Sequence, residues 1–350
     1  MLLIIILCTC HLMQAQNRER VIDSLNNLLQ QSKVDTNRAR LLIMIGDRYE
    51  QRNDSIAIDY YYKAIDLSLE LDYAWGEAVA RQYLADVYLR HNKYDSSSLH
   101  LTRVMDLSEK LKDNKRIGVA ANSIALINHH TGELENALQF YLMAAQHFEK
   151  LDASQRILLI SCYTNIGGVF FDLGQHEKSL QYMKQAYAIA IEIKNDVEIA
   201  YAACELGASL QKNGNAKEAK QYIERAVTIA NKEDDLLLKT IAWQGLGTVH
   251  LQEQNYNDAL AAFNQALSIA NQYGDTSRIA LLLGYTGRAQ YWLKNYPAAE
   301  QNLMTALRYY TNIQDLTGLS KIYEALYNLE TTKGNYNYME IGRASCRERV

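Results

Sequence analysis

Four glycines, Gly167, Gly207, Gly247 and Gly287, stand forty residues apart each time. Register held over that distance marks a unit copied head to tail, and such a chain folds as a stack of neighbours rather than around one central core. The stretch Thr240 to Ala270, TIAWQGLGTVHLQEQNYNDALAAFNQALSIA, shows the unit most fully. Trp243, Leu246, Gly247 and His250 share one face of a first helix, and Ala259, Phe263 and Ala266 share one face of a second. A polar turn ending at Tyr256 joins them. Small residues at 247 and 259 let the two backbones approach, while the large ones fill the space beside them. A single proline in 350 residues, Pro297, suits long uninterrupted helices.

Apart from His250 in place of a tyrosine, the stretch has the W-x2-L-G-x2-Y then A-x3-F spacing and resembles the tetratricopeptide repeat (TPR) family. The resemblance implies an all-α fold, a right-handed α-solenoid of helical hairpins, here with repeats of about 40 residues against the family's usual ~34. Longer helices and a looser hinge between repeats account for the difference. Earlier copies use Gly46, Ala57 and Tyr61; Ala85, Ser97 and Leu101; Ala125, Ala137 and Tyr141; Gly167, Ser179 and Met183; and Gly207, Ala219 and Ile223. After the Trp243 copy comes one with Gly287, Ala299 and Leu303, and an eighth begins at Ser320, its second helix expected from about Tyr338. The short polar links at 194–196, 231–235 and 273–275 are turn-forming.

The expected organisation is a signal peptide at 1–15, an N-terminal capping helix within 16–37, a TPR array over 38–338 and a non-native tail at 339–350. Leu2 to Leu7 is a compact apolar run too short to span a bilayer, which predicts an exported protein, although no Lys or Arg precedes it. Glu340 to Val350, EIGRASCRERV, breaks the repeat pattern and resembles a widely used sequencing adapter translated in frame. On that reading Cys346 is foreign and the array is cut within its eighth hairpin. The remaining cysteines outside the leader, Cys162 and Cys204, are expected to be buried thiols.

The net charge of −4 and the absence of like-charge blocks give no basis for nucleic-acid binding by this portion. Patterns of catalysis fail on context. Gly245-Leu246-Gly247 lies inside a helix and has His250 where a dinucleotide loop needs its third glycine. His176-Glu177 lacks the second histidine of a zinc-protease helix, since Leu180 occupies that place. The adjacent His129 and His130 diverge by about 100° on a helix and read as solvated helix-end residues. The carboxylates read as members of solvated helix faces. The expectation is therefore a chain with no catalytic residue, no metal and no cofactor.

What remains is surface. In the family, relative positions 2, 5, 9 and 12 of the first helices commonly face the concave side. Carried onto this chain, that implies partner-binding roles for Arg40, Asp47, Gln82, Asp86, Asn122, His129, Thr164, Gln211, Gln244, Thr248 and Arg288, with Ile43 and Cys204 on the same face. Tyr285, Tyr291 and Trp292 join Arg288 in a mixture of aromatics and arginine typical of binding hot spots; their alternative role is packing against the next repeat. The face lacks the repeated Lys and Arg with which some TPR proteins clamp a terminal carboxylate. The resemblance implies a scaffold binding a protein or peptide in its groove. The alternative it allows is the extracytoplasmic sensor region of a truncated membrane histidine kinase or transcriptional regulator, in contact with a membrane only through a downstream segment.

Overall fold

A computed structural model describes residues 19–50 and 52–334, and among these the chain is helical throughout, with no strand. Helix α1 covers 19–31. Then follow α2 (Thr36–Glu50), α3 (Asp54–Glu70), α4 (Ala74–Arg90), α5 (Tyr94–Leu111), α6 (Asn114–His130), α7 (Leu134–Phe148) and α8 (Ile157–Asp172). The series continues with α9 (His176–Ile193), α10 (Asp196–Lys212), α11 (Ala216–Ala230), α12 (Leu236–Gln252), α13 (Tyr256–Tyr273), α14 (Thr276–Trp292), α15 (Tyr296–Asn312) and α16 (Leu316–Lys333). The leader, the adapter-like tail and the second helix expected from Tyr338 lie outside the described residues.

The chain divides into two compact units, residues 1–173 and 174–350. In the first, α2 pairs with α3, α4 with α5 and α6 with α7, and each second helix packs on the next first helix. Leu29 of α1 packs against the core shared by α2, α3 and α4. In the second unit α10 pairs with α11, α12 with α13 and α14 with α15, while successive first helices α10, α12, α14 and α16 also touch. These even-numbered helices form one layer and their partners another, which is what a repeat must do when it cannot bury its own apolar stripe.

The glycine register explains the hairpin crossings. A Cβ added at Gly287 would come within 2.8 Å of Leu303 Cγ, and one at Gly247 would run into the Phe263 ring. Ala259 and Ala299, opposite these glycines, are fully buried, as are Tyr61, Tyr141 and Phe263 at the matching large position. Full burial of such a side chain contributes about 1.5–3 kcal/mol. The hairpin turns use a left-handed residue at Asn92, Gly132, Gly214, Gln254 and Lys294, with φ of 56°, 84°, 81°, 62° and 60°. Between repeats, Asp113, Asn195, Asp235, Asp275 and Asp315 each cap the following first helix by accepting a hydrogen bond from its backbone N–H. Asn195, Asp235 and Asp275 fall on the links expected to be turns, and Asp113 and Asp315 cap two further ones. Gly245 serves packing as well, since a Cβ there would sit 3.0 Å from Ile223 Cδ1. Cys162 and Cys204 are free and buried.

Candidate partner-binding groove

The first-helix layer of the second unit leaves a groove of about 900 Å³ along α10, α12 and α14. Gln211 and Lys212 of α10, Gln244, Thr248 and Gln252 of α12, and Tyr285, Arg288 and Trp292 of α14 line it. A side-chain amide and hydroxyl cross-link its floor, Thr248 donating to Gln211 Oε1 at 3.1 Å. Gln252 donates to the Gln211 carbonyl at 3.4 Å. Gln244 Oε1 is shielded from solvent and accepts no hydrogen bond from the protein. Glu205 stands on the same floor; its surface is open to water, yet the helices around it displace enough solvent to raise its carboxyl above the usual value, with Lys212 and Arg278 partly offsetting that.

At one end the groove meets a cavity of about 340 Å³ bounded by α14 and α16, with Tyr285, Arg288 and Trp292 common to both. The aromatic walls are held from behind. Tyr285 stacks on Phe263 at 5.2 Å, and Trp292 stacks on Tyr256 at 5.7 Å with the rings 8° apart. Tyr291 shares a hydrogen bond of 2.9 Å with Thr332. Trp292 nonetheless remains 52% exposed. The rings therefore pack, Tyr285 and Trp292 on the preceding repeat and Tyr291 toward the next, while Trp292 keeps a face to solvent.

In the first unit the expected groove residues are tied to one another. Arg40 donates to the Tyr73 hydroxyl at 2.8 Å and lies over the Trp75 ring at 5.2 Å. Arg116 approaches the same ring at 5.6 Å and donates to Gln82 at 2.9 Å. Asn165 donates to Asn122 at 3.5 Å, and Asp47 lies 4.0 Å from Arg48. Thr164 is half-buried. Asp86 is half-buried too, and burial first, then the nearby Glu50 charge, raises its carboxyl to about 7 against the opposing pull of Arg90.

Some expectations are corrected. Ile43 is not on an open face: it is 6% exposed and belongs to the core shared by α2, α3 and α4, while Cys204 borders the groove with only 4% of its surface exposed. His129 and His130 are not simply solvated, since His129 lies 2.8 Å from Asp172 and His130 stacks on Tyr94. The carboxylates are not all on solvated faces. Glu77 is 3% exposed and clasped by Arg81 at 2.8 Å and Arg103 at 2.9 Å. Burial alone drives its carboxyl up, but these hydrogen bonds outweigh it and hold the group below its ordinary value. Periodicity also missed Glu205, Lys212, Gln252 and Lys321, which line the groove or its side cavity from positions the family habit does not name.

Known proteins place this architecture. The family model described as tetratricopeptide repeat matches residues 116–192, 198–272 and 238–312, together just over half of the chain. Response regulator aspartate phosphatase E of Bacillus subtilis is 28% identical over 118 residues, 33% of this chain and 31% of that protein. The chain spans only about a third of the length of the curated relatives it matches. Among solved structures, the apo form of the quorum sensor NprR from B. thuringiensis superposes with a TM-score of 0.69 at 15% identity, covering 95% of this chain and 94% of that one. A Rap protein complexed with Competence and Sporulation Factor gives 0.54 at 15% identity, covering 91% and 98%. By sequence pattern and by fold alike, the chain belongs to the tetratricopeptide repeat family.

Proposed function

We propose that the chain is a non-catalytic interaction scaffold that holds a linear segment of a protein partner in the groove of the second unit. The observation that carries this reading is the convergence of Gln211, Gln244, Thr248, Tyr285, Arg288 and Trp292 from three successive first helices onto one open trough. Amide and hydroxyl side chains match the alternating N–H and C=O groups of an extended backbone. The Rap protein solved with a bound factor supports the reading by its shared fold. A displayed random-peptide library selected on the chain tests it. Selected peptides should lose at least ten-fold in affinity on Gln244→Arg and none on Lys184→Ala, a surface change on α9. Binders indifferent to Gln244→Arg would end the groove reading. Failure to accelerate dephosphorylation of a phosphorylated response regulator checks the non-catalytic part.

The apolar run at Leu2 to Leu7 supports export to an extracytoplasmic compartment. The same run favours the second reading, a sensor region of a membrane histidine kinase or transcriptional regulator. No helix among the described residues is long and apolar enough to cross a membrane. Genomic sequence past position 339 checks that reading: a frame encoding roughly 20 successive apolar residues supports it, and an early stop removes it.

A further inference from the structure

The cavity bounded by α14 and α16 is chemically the most specific part of the second unit. Its volume of about 340 Å³ lies at the small end of the ~300–1,000 Å³ typical of ligand pockets, which suits one bulky side chain rather than a length of chain. Tyr285, Tyr291 and Trp292 wall it, and each is already fixed by the stacking or hydrogen bond described above, so little ordering is left to do on binding. Gly284, also in the lining, lets α16 pack close: a Cβ there would come 2.9 Å from Ile322 Cδ1.

Charge also sets this cavity apart. Arg288 and Lys321 are exposed and line this cavity, and neither is joined to an acidic group by an ion pair within the described residues. Glu324 is the acid among the lining residues, leaving the lining net positive in a protein whose formal charge is −4. Arg81, Arg90 and Arg103, by comparison, each have a carboxylate partner. The unpaired cations therefore stand where an incoming anion would complete them.

We propose that this cavity is the anchor site for an acidic linear motif: one bulky apolar side chain enters beside Tyr285, Tyr291 and Trp292, and an adjacent aspartate or glutamate side chain meets Arg288 and Lys321. The proposal rests on the groove reading above and adds the partner's chemistry to it.

The test uses the full chain and a fluorescein-labelled, C-terminally amidated probe, Ser-Asp-Glu-Leu-Phe-Asp-Glu-Ser, with two relatives: one with lysines replacing every acid, one with serines replacing Leu-Phe. Fluorescence anisotropy should show the acidic probe binding at least ten-fold more tightly than either, with affinity falling as salt rises. Arg288→Glu combined with Lys321→Glu should weaken the acidic probe at least ten-fold and strengthen the lysine probe. Circular dichroism on that variant guards against misfolding. Gly284→Leu, which fills the cavity, should weaken the acidic probe while leaving it better than the serine relative. Equal binding of acidic and basic probes, binding only by a free C-terminal carboxylate, or no effect of the charge reversal overturns the proposal. Library-selected peptides that depend on Gln244 but ignore Arg288, Lys321 and Gly284 would overturn it while leaving the groove reading intact. Peptides that ignore Gln244 as well would remove both.

Discussion

The two units are built from the same hairpin but treat the polar face of their first helices differently. In the first, charges are closed against one another. Glu50 accepts from Tyr61 at 2.9 Å and from Arg90 at 3.3 Å, Asp54 holds His91 at 2.7 Å, and two arginines clasp Glu77. In the second, Lys184 pairs with Glu218 at 3.7 Å and Lys220 with Glu253 at 2.9 Å, both from second helices, while Arg288 and Lys321 are in no ion pair among the described residues. A face that satisfies itself must break its own bonds to take a partner; a face with unpaired groups gains by taking one. The difference teaches that one hairpin packing can carry a self-satisfied polar face in one unit and a face with unpaired charges in the other.

The largest effect that tests this contrast is in the first unit. Glu77→Gln leaves Arg81 and Arg103 facing a neutral amide in a site where the carboxylate was 3% exposed. We expect a loss of about 3 kcal/mol, the lower end for breaking a buried pair, because Arg103 keeps 39% of its side-chain surface in water. Hydrogen exchange of α4 and α5 measures it locally, which suits a repeat array better than a global melt. Unchanged protection would mean that these charges do not hold the unit together.

Packing, by contrast, should not distinguish the units. Ala137 in the first and Ala259 in the second are both fully exposed to neighbours and not to solvent, at 0%. Replacing either with Leu overpacks its hairpin crossing at a cost of about 1–3 kcal/mol. Urea midpoints shifted in one unit alone would break the claim that the hairpins are equivalent.

A pH effect belongs to the first unit. The Asp86 carboxyl stands at about 7 when folded, above its ordinary value of 3.8, so the folded state binds the proton more tightly than the unfolded one. Stability is then highest at acid pH for this group and falls as pH rises between those two values. Glu50 on α2 adds to the penalty and Arg90 on the same helix as Asp86 relieves part of it. Asp86→Asn should remove the decline and gain about 1–2 kcal/mol at pH 8, the half-exposed setting reducing the full effect of the shift. Urea titrations at pH 5 and pH 8 measure the difference, and a mutant that keeps the wild-type slope excludes Asp86 as its source.

The hairpins were legible because two periodicities coincide in the text. Small residues at 207, 247 and 287 mark the crossings, and Asn195, Asp235 and Asp275 mark the helix starts, each a local requirement that only a few residue types meet. Gln211, Gln244, Thr248 and Arg288 were legible as groove residues only through the family resemblance, which assigns their relative positions to the concave side. What could not be read was pairing across repeats. Glu77 looks like any helix-surface acid until Arg103, from the next helix, is placed over it. Likewise Lys321 joins Arg288 only when α16 is docked beside α14, a contact that no spacing within one hairpin reports.

The smallest expected effect sharpens the comparison most, because it sets like against like. Arg90 of the first unit and Arg288 of the second are both exposed arginines near the ends of first helices. Arg90→Glu places a carboxylate beside Glu50, Asp54 and the raised carboxyl of Asp86, replacing two attractions with repulsions, for a cost of about 1 kcal/mol. Arg288→Glu removes no ion pair found among the described residues, so its stability should stay within about 0.5 kcal/mol of wild type. Thermal melts of the two variants side by side give the answer. Equal losses would show that Arg288 already has a partner inside the protein; a loss confined to Arg90→Glu leaves the Arg288 guanidinium free to meet something from outside.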